Sequence, residues 1–116
     1  MNARLRTIVC ASILTAAALP AAGQVGIFDA ASDVGITPKT GKTEFNAGAG
    51  EYNVTGGGAN VWGTADAFQY LWKKMPGDVV LSADVRFIGV GAVAHRKVTL
   101  MIRQSLDPGS AYAGAA

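Results

Sequence analysis

Cysteine is all but missing from this sequence, since Cys10 is the only one. A single cysteine closes no disulfide within the chain and supplies no set of thiolates for a structural zinc site. Histidine is as scarce, with His95 alone, so neither a histidine-rich metal cluster nor a catalytic relay has much to draw on. Glutamate occurs only at Glu44 and Glu51, and neither has an aspartate two residues later. The sequence also has no Gly-x-Ser-x-Gly elbow and no His-Glu-x-x-His pair, which removes the commonest hydrolase signatures. Charge is sparse at 16% of residues, and the formal excess of +2 comes from Arg4 and Arg6. From Gln24 onward eight basic residues face eight acidic ones, which gives no electrostatic basis for binding nucleic acid.

What is present begins with an address. Arg4 and Arg6 form a short basic region, Ile8 to Leu19 is an apolar run, and Leu19-Pro20-Ala21-Ala22-Gly23 offers the small residues that a signal peptidase needs. Residues 1–23 therefore read as a signal peptide with a targeting helix at Leu5–Ala18, cut after Gly23. The apolar run is shorter than the roughly 20 residues of a bilayer span. Val9 stands where lipid attachment at Cys10 would need a small residue, so Cys10 leaves with the signal. The mature chain is expected to be periplasmic or secreted, free of cysteine and free of a membrane span.

The remaining length suits one domain. Its 15 glycines cluster between apolar segments, as in an all-β protein with many turns. Residues 24–50 read as a lead-in. Val25 to Phe28 is a candidate first strand, the segment containing Ser32, Asp33, Gly35 and Pro38 is turn-prone, Lys42 to Asn46 is a second short strand, and Ala47 to Gly50 breaks the pattern. Their charges read as a solvated surface.

From Glu51 the pattern strengthens. Tyr52 to Thr55 alternates as a half-buried strand does, and Gly56-Gly57-Gly58 turns the chain toward Asn60-Val61-Trp62, with positive φ as the expected reason for glycine. No Gly-Lys-Ser/Thr follows these glycines, so a phosphate loop is not indicated. Thr64 to Met75 fits two templates. Phe68, Leu71, Trp72 and Met75 have helical spacing, whereas Phe68, Tyr70 and Trp72 alternate as a strand does. The Pro76-Gly77 turn and the β-branched run Val79 to Ile88 favour the strand and predict a hairpin, with Leu81, Ala83, Val85 and Phe87 on its core side. Lys97 to Gln104 reads as a further strand with Val98, Leu100 and Ile102 on one face. Asp107-Pro108-Gly109 turns again, and Ala111 opens a last strand.

The run YNVTGGGANVWGTADAFQYLWKKMPGDVVLSADV resembles the opening strands of concanavalin A-like jelly-roll domains of exported bacterial proteins, where an x-x-W-G-T-x-D-x-F strand and an S/P-G-D turn recur. HRKVTLMIRQSLDPGSAYAGAA resembles the subgroup in which this domain stands ahead of a Tol-type β-propeller, often labelled a biopolymer transporter component. The resemblance covers Glu51 to Ala116. It implies an all-β, partial jelly roll or β-sandwich over residues 51–116, holding about half of the strands that close such a fold, with an apolar face and a strand edge left uncovered. It also implies a non-catalytic binding or assembly module of a larger envelope protein, without a cofactor, whose partner is a glycan or an envelope protein. The alternative is the amino-terminal half of a concanavalin A-like glycoside hydrolase with its acid and base beyond Ala116.

Each candidate site residue has a structural rival. Trp62, Tyr70 and Trp72 could stack on sugar rings, but burial in the core is the first reading of aromatics beside a Pro-Gly turn. Asp66, Asp78 and Asp84 could offer oxygens to calcium, yet their spacing is not that of a compact ligand loop, and surface turn or strand roles come first. His95-Arg96-Lys97 is a small basic cluster with no metal-ligating neighbour in sequence. Asn53-Val54-Thr55 fits a glycosylation acceptor, which on a strand of a bacterial protein is incidental. No catalytic residue and no metal ligand is assigned.

Overall fold

The computed structural model describes residues 23–91 and 93–116 in full and the backbone of residues 2–4. Eight strands appear among them: β1 (Asn2–Arg4), β2 (Ala30–Val34), β3 (Lys42–Asn46), β4 (Glu51–Thr55), β5 (Phe68–Trp72), β6 (Asp84–Arg86), β7 (Leu100–Arg103) and β8 (Tyr112–Ala115). No helix occurs among the described residues, which are all-β as expected. The expected targeting helix at Leu5–Ala18 lies outside the described residues. The strands form one four-stranded sheet in the order β3-β4-β1-β6 and two separate pairs, β2-β5 and β7-β8.

The β3–β4 hairpin follows the sequence pattern closely. Asn46 accepts the backbone N–H groups of Gly48 (3.1 Å) and Ala49 (3.3 Å) on its Oδ1, and Gly50 takes φ +64°, which closes the turn. Tyr52 and Val54 are buried while Asn53 and Thr55 are exposed, the alternation that β4 announces. The Tyr52 ring stacks on its cross-strand partner Phe45 at 4.6 Å and meets Phe28 edge-on at 5.2 Å. Such aromatic pairs contribute roughly 0.5–1.5 kcal/mol beyond the area they bury. Phe28 reaches this ring because Val25–Phe28 is a tight turn and not the expected strand. Val25 and Phe28 exchange two backbone hydrogen bonds at 3.1 and 3.0 Å, and Gly26 stands at φ +60° against the Tyr52 ring, where a Cβ would overlap the phenol oxygen. Tyr52 Oη in turn accepts the Ile27 N–H at 3.0 Å.

The turn-prone Ser32 and Asp33 belong to a strand instead. Asp33 is tolerated in β2 because its Oδ2 takes the Thr37 hydroxyl (3.1 Å) and the Gly41 N–H (2.8 Å), so the loop that follows satisfies its charge. β2 pairs antiparallel with β5 from Ala30↔Trp72 to Val34↔Phe68, which resolves the Thr64–Met75 ambiguity as a strand. The expected hairpin between β5 and Val79–Ile88 does not form. The chain leaving β5 is tied back to the residues before β2: Asp29 N–H donates to the Trp72 carbonyl (3.0 Å), Lys74 N–H to Asp29 Oδ2 (2.8 Å) and Lys73 Nζ to the Ile27 carbonyl (3.0 Å). Of the Val79–Ile88 run only β6 is a strand, it pairs with β1, and Leu81, Val85 and Phe87 are exposed, not core-facing.

β7 and β8 pair across the expected Asp107–Ser110 turn, closed by a Ser110 N–H bond to the Asp107 carbonyl at 2.9 Å. Here the buried face is the opposite of the one the alternation suggested, because Met101 is buried and Ile102 is exposed. A flexible thioether fits the irregular gap that a branched side chain would not. Among the described residues the hydrophobic core is small: Val34, Tyr52, Val54, Ala67 and Met101.

Candidate functional site

The residues of interest gather on the loop between β4 and β5. Its stem is held by close backbone approach, which is why it opens on glycine: a Cβ on Gly57 would lie 2.3 Å from the Lys39 carbonyl oxygen, and one on Gly58 would sit on the Ala67 carbonyl. None of Gly56, Gly57 and Gly58 has positive φ, so the expected conformational reason is replaced by a steric one. Ala67 N–H donates to the Asn60 carbonyl at 2.8 Å, and this single bridge stands where a strand through Trp62 was expected.

Between those two residues the loop is organised by Asp66. Its Oδ1 accepts the backbone N–H of Trp62 at 2.8 Å, its Oδ2 accepts Arg103 Nη1 at 2.7 Å, and its own N–H donates to the Pro108 carbonyl at 3.2 Å. The side chains of Asp66 and Arg103 are each about 1% exposed. Two ions so far from water are tolerated only when their remaining bonding capacity is used. Arg103 meets that condition: its Nε donates to the Ser105 carbonyl (3.0 Å), its Nη2 to the Asp107 carbonyl, and its guanidinium lies over the Phe68 and Tyr112 rings at 5.4 and 5.6 Å. Asp66 is thus a buried structural ion and not the surface residue that its turn-rich context suggested.

Trp62 sits at the tip of this loop, with Gly63 at φ +62° beside it and the Ala65 N–H on its carbonyl at 3.3 Å. It is 78% exposed, so the first reading of it as core is corrected. The reason is mechanical: Asp66 spends its Oδ1 on the Trp62 backbone, which fixes the main chain and leaves the indole outside. Tyr70 and Trp72 stand half-buried on β5 with their polar ends used internally, Tyr70 Oη–H on the Met101 carbonyl (3.2 Å) and Trp72 Nε1–H on Ser32 Oγ (3.3 Å). Burial pushes the Tyr70 phenol above its ordinary value, with the nearby Arg103 charge opposing the shift.

Other sequence candidates are dispersed. Asp78 and Asp84 are exposed, and among the described residues no three His, Cys, Asp or Glu side chains gather as metal ligands. His95 is exposed in a turn. Arg96 lies over the Phe87 ring at 4.6 Å and donates to the Gly89 carbonyl at 2.8 Å, and Lys97 Nζ donates to Asn60 Oδ1 at 2.9 Å. A groove of about 440 Å³ runs beside this pair, floored by Val85, Phe87, Val98 and Leu100. Asn53 is exposed in the middle of β4.

One buried polar pair has the look of a site and resolves as structure. Asp33 Oδ1 and Gln69 Oε1 both lack a hydrogen-bond donor, and both point at the place where a Gly41 Cβ would stand, at 2.6 and 2.3 Å. Gln69 Nε2 meanwhile faces the Thr43 hydroxyl at 3.1 Å. Turning the amide over lets its carbonyl accept the Thr43 hydroxyl and turns its NH₂ toward the space that Asp33 Oδ1 also faces.

The Asp66–Arg103 pair is the arrangement that sequence reasoning missed. The available signal was an arginine at the end of the apolar run Leu100-Met101-Ile102 and a lone aspartate inside Ala65-Ala67-Phe68, each out of place unless the two meet. Comparison of the chain with family models, with curated proteins and with solved structures finds no match.

Proposed function

We propose that the chain is an exported, non-catalytic binding or assembly module of a larger envelope protein, built on a concanavalin A-like jelly roll, and that Trp62 is its point of contact with a glycan. The observation that carries the reading is a tryptophan left 78% exposed on a loop whose backbone is pinned from beneath by Asp66. An indole held in place loses little freedom when it binds, and its flat apolar face suits the C–H face of a pyranose. Tyr70 and Trp72 spend their polar ends on Met101 and Ser32 and are assigned no contact with ligand. Membership of a larger assembly is supported by the apolar surface that the small core leaves uncovered, where Val80 and Val90 are almost wholly exposed.

A glycan array probed with the purified chain tests this directly. Binding that is lost in Trp62→Ala and retained in Trp72→Phe is the expected result. Binding that is indifferent to Trp62, in a variant with unchanged circular dichroism, would remove the residue and the reading with it.

A further inference from the structure

Resting on the glycan reading of Trp62, we infer that the loop selects carboxylated glycans, of the uronic-acid type, over neutral ones. The charges around the loop are arranged unevenly. Asp66 is the only carboxylate in the sequence between Glu51 and Asp78, and the fold turns it inward and neutralises it with Arg103. The loop therefore presents no negative charge of its own beside the indole. At its Asn60 end stands Lys97, whose ammonium is located by Asn60 Oδ1 at 2.9 Å and has no carboxylate partner among the described residues. Asn60 precedes Trp62 by two residues, a span of at most about 7 Å of backbone. The exposed aromatic side chain and the positioned cation thus belong to the same three-residue segment of the loop, one at Trp62 and the other at Asn60.

Arg96, next in sequence, is held by Phe87 and Gly89 and adds a second positive charge on the Lys97 side. The opposite end of the loop carries the contrary sign. Asp107 is exposed on the turn that meets Thr64 and Asp66, and its Oδ2 accepts only the Ser105 hydroxyl at 3.2 Å. The site is polarised, cationic toward Asn60 and anionic toward Thr64. A sugar stacked on Trp62 gains when its carboxylate faces Lys97 and loses nothing if it is kept clear of Asp107. A neutral sugar has only the stacking.

Titration of the full chain with tetragalacturonate and with a neutral galactose tetramer, followed by isothermal calorimetry, tests the assignment. The acidic ligand should bind tighter at low salt by up to about fivefold, the upper end for one exposed ion pair. The preference should vanish near 1 M salt, where screening acts over about 3 Å. Lys97→Gln should abolish the preference, Lys97→Arg should retain it, and Asp107→Asn should enlarge it. Equal affinity for both ligands, with binding still lost in Trp62→Ala, would overturn the acidic preference and leave the glycan reading standing. A preference that survives Lys97→Gln would overturn it as well. Absence of binding to either ligand would bring down the glycan reading, and this inference with it.

Discussion

Arg103 Nη1 lies 2.7 Å from Asp66 Oδ2, with both side chains about 1% exposed and the Trp62 N–H on the other carboxylate oxygen. The pair ties the β7–β8 hairpin to the loop that displays the indole. A buried ion deprived of its partner costs more than the intact pair ever contributed. Arg103→Met and Asp66→Asn are therefore each expected to destabilise the chain by about 3–5 kcal/mol in urea titrations. Joining Arg103→Met with Asp66→Leu should recover much of the stability and none of the loop geometry. Trp62 fluorescence, blue-shifted or quenched differently in the double variant, would report that split. Additive losses in the double variant would contradict a coupled pair.

Tyr70 governs the alkaline limb. Its phenol is raised above 10.0, chiefly by burial, so the folded state holds the proton longer than the unfolded chain does. That contribution is complete below pH 10 and is lost as pH climbs through the raised folded value, where the bond to the Met101 carbonyl also disappears. Tyr70→Phe should flatten this part of the stability profile and lower the neutral-pH stability by about 1 kcal/mol. A parent profile that stays level from pH 9 to pH 11.5 would contradict it.

Two glycines of the same loop separate steric need from conformational need. Gly58→Ala drives a methyl into the Ala67 carbonyl and should cost roughly 1–3 kcal/mol or more, while breaking the Asn60–Ala67 bridge. Gly63→Ala meets open space and bears only its φ of +62°, about 1–2 kcal/mol. Amide exchange at Ala67 should accelerate in the first variant alone. Equal acceleration in both would show that the stem is not held by close approach.

The parts of the fold that were legible are those governed by neighbours in sequence. The β3–β4 hairpin and the Asp107–Ser110 turn were readable because alternation and turn chemistry specify both sides of each connection. β2 was hidden, since Ser32 and Asp33 look like turn residues until Thr37, Gly41 and Trp72 supply their partners from elsewhere. The β5–β6 hairpin was anticipated from Pro76-Gly77, but a turn signal cannot compete with the bonds from Asp29, Lys73 and Lys74 that lead the chain away. In the site, Tyr70 and Trp72 are half-buried as aromatics on a strand are expected to be, whereas Trp62, for which burial was also the first reading, is exposed. Trp62 lies outside because of Asp66, and the role of Asp66 depends on an arginine 37 residues later.

The pairing of β2 with β5 encloses the β3–β4 hairpin as one bracket encloses another. Nested closure of this kind has an inherent order in time. The inner hairpin needs only a short loop and can zip within microseconds, and once formed it shortens the effective distance that the outer pair must cross. The Asp66–Arg103 contact draws on Arg103, which lies beyond the outer bracket in the chain. A polypeptide delivered from its amino terminus would present both strands of the outer bracket before it presents Arg103, so the Trp62 loop waits for its anchor after its own residues have emerged.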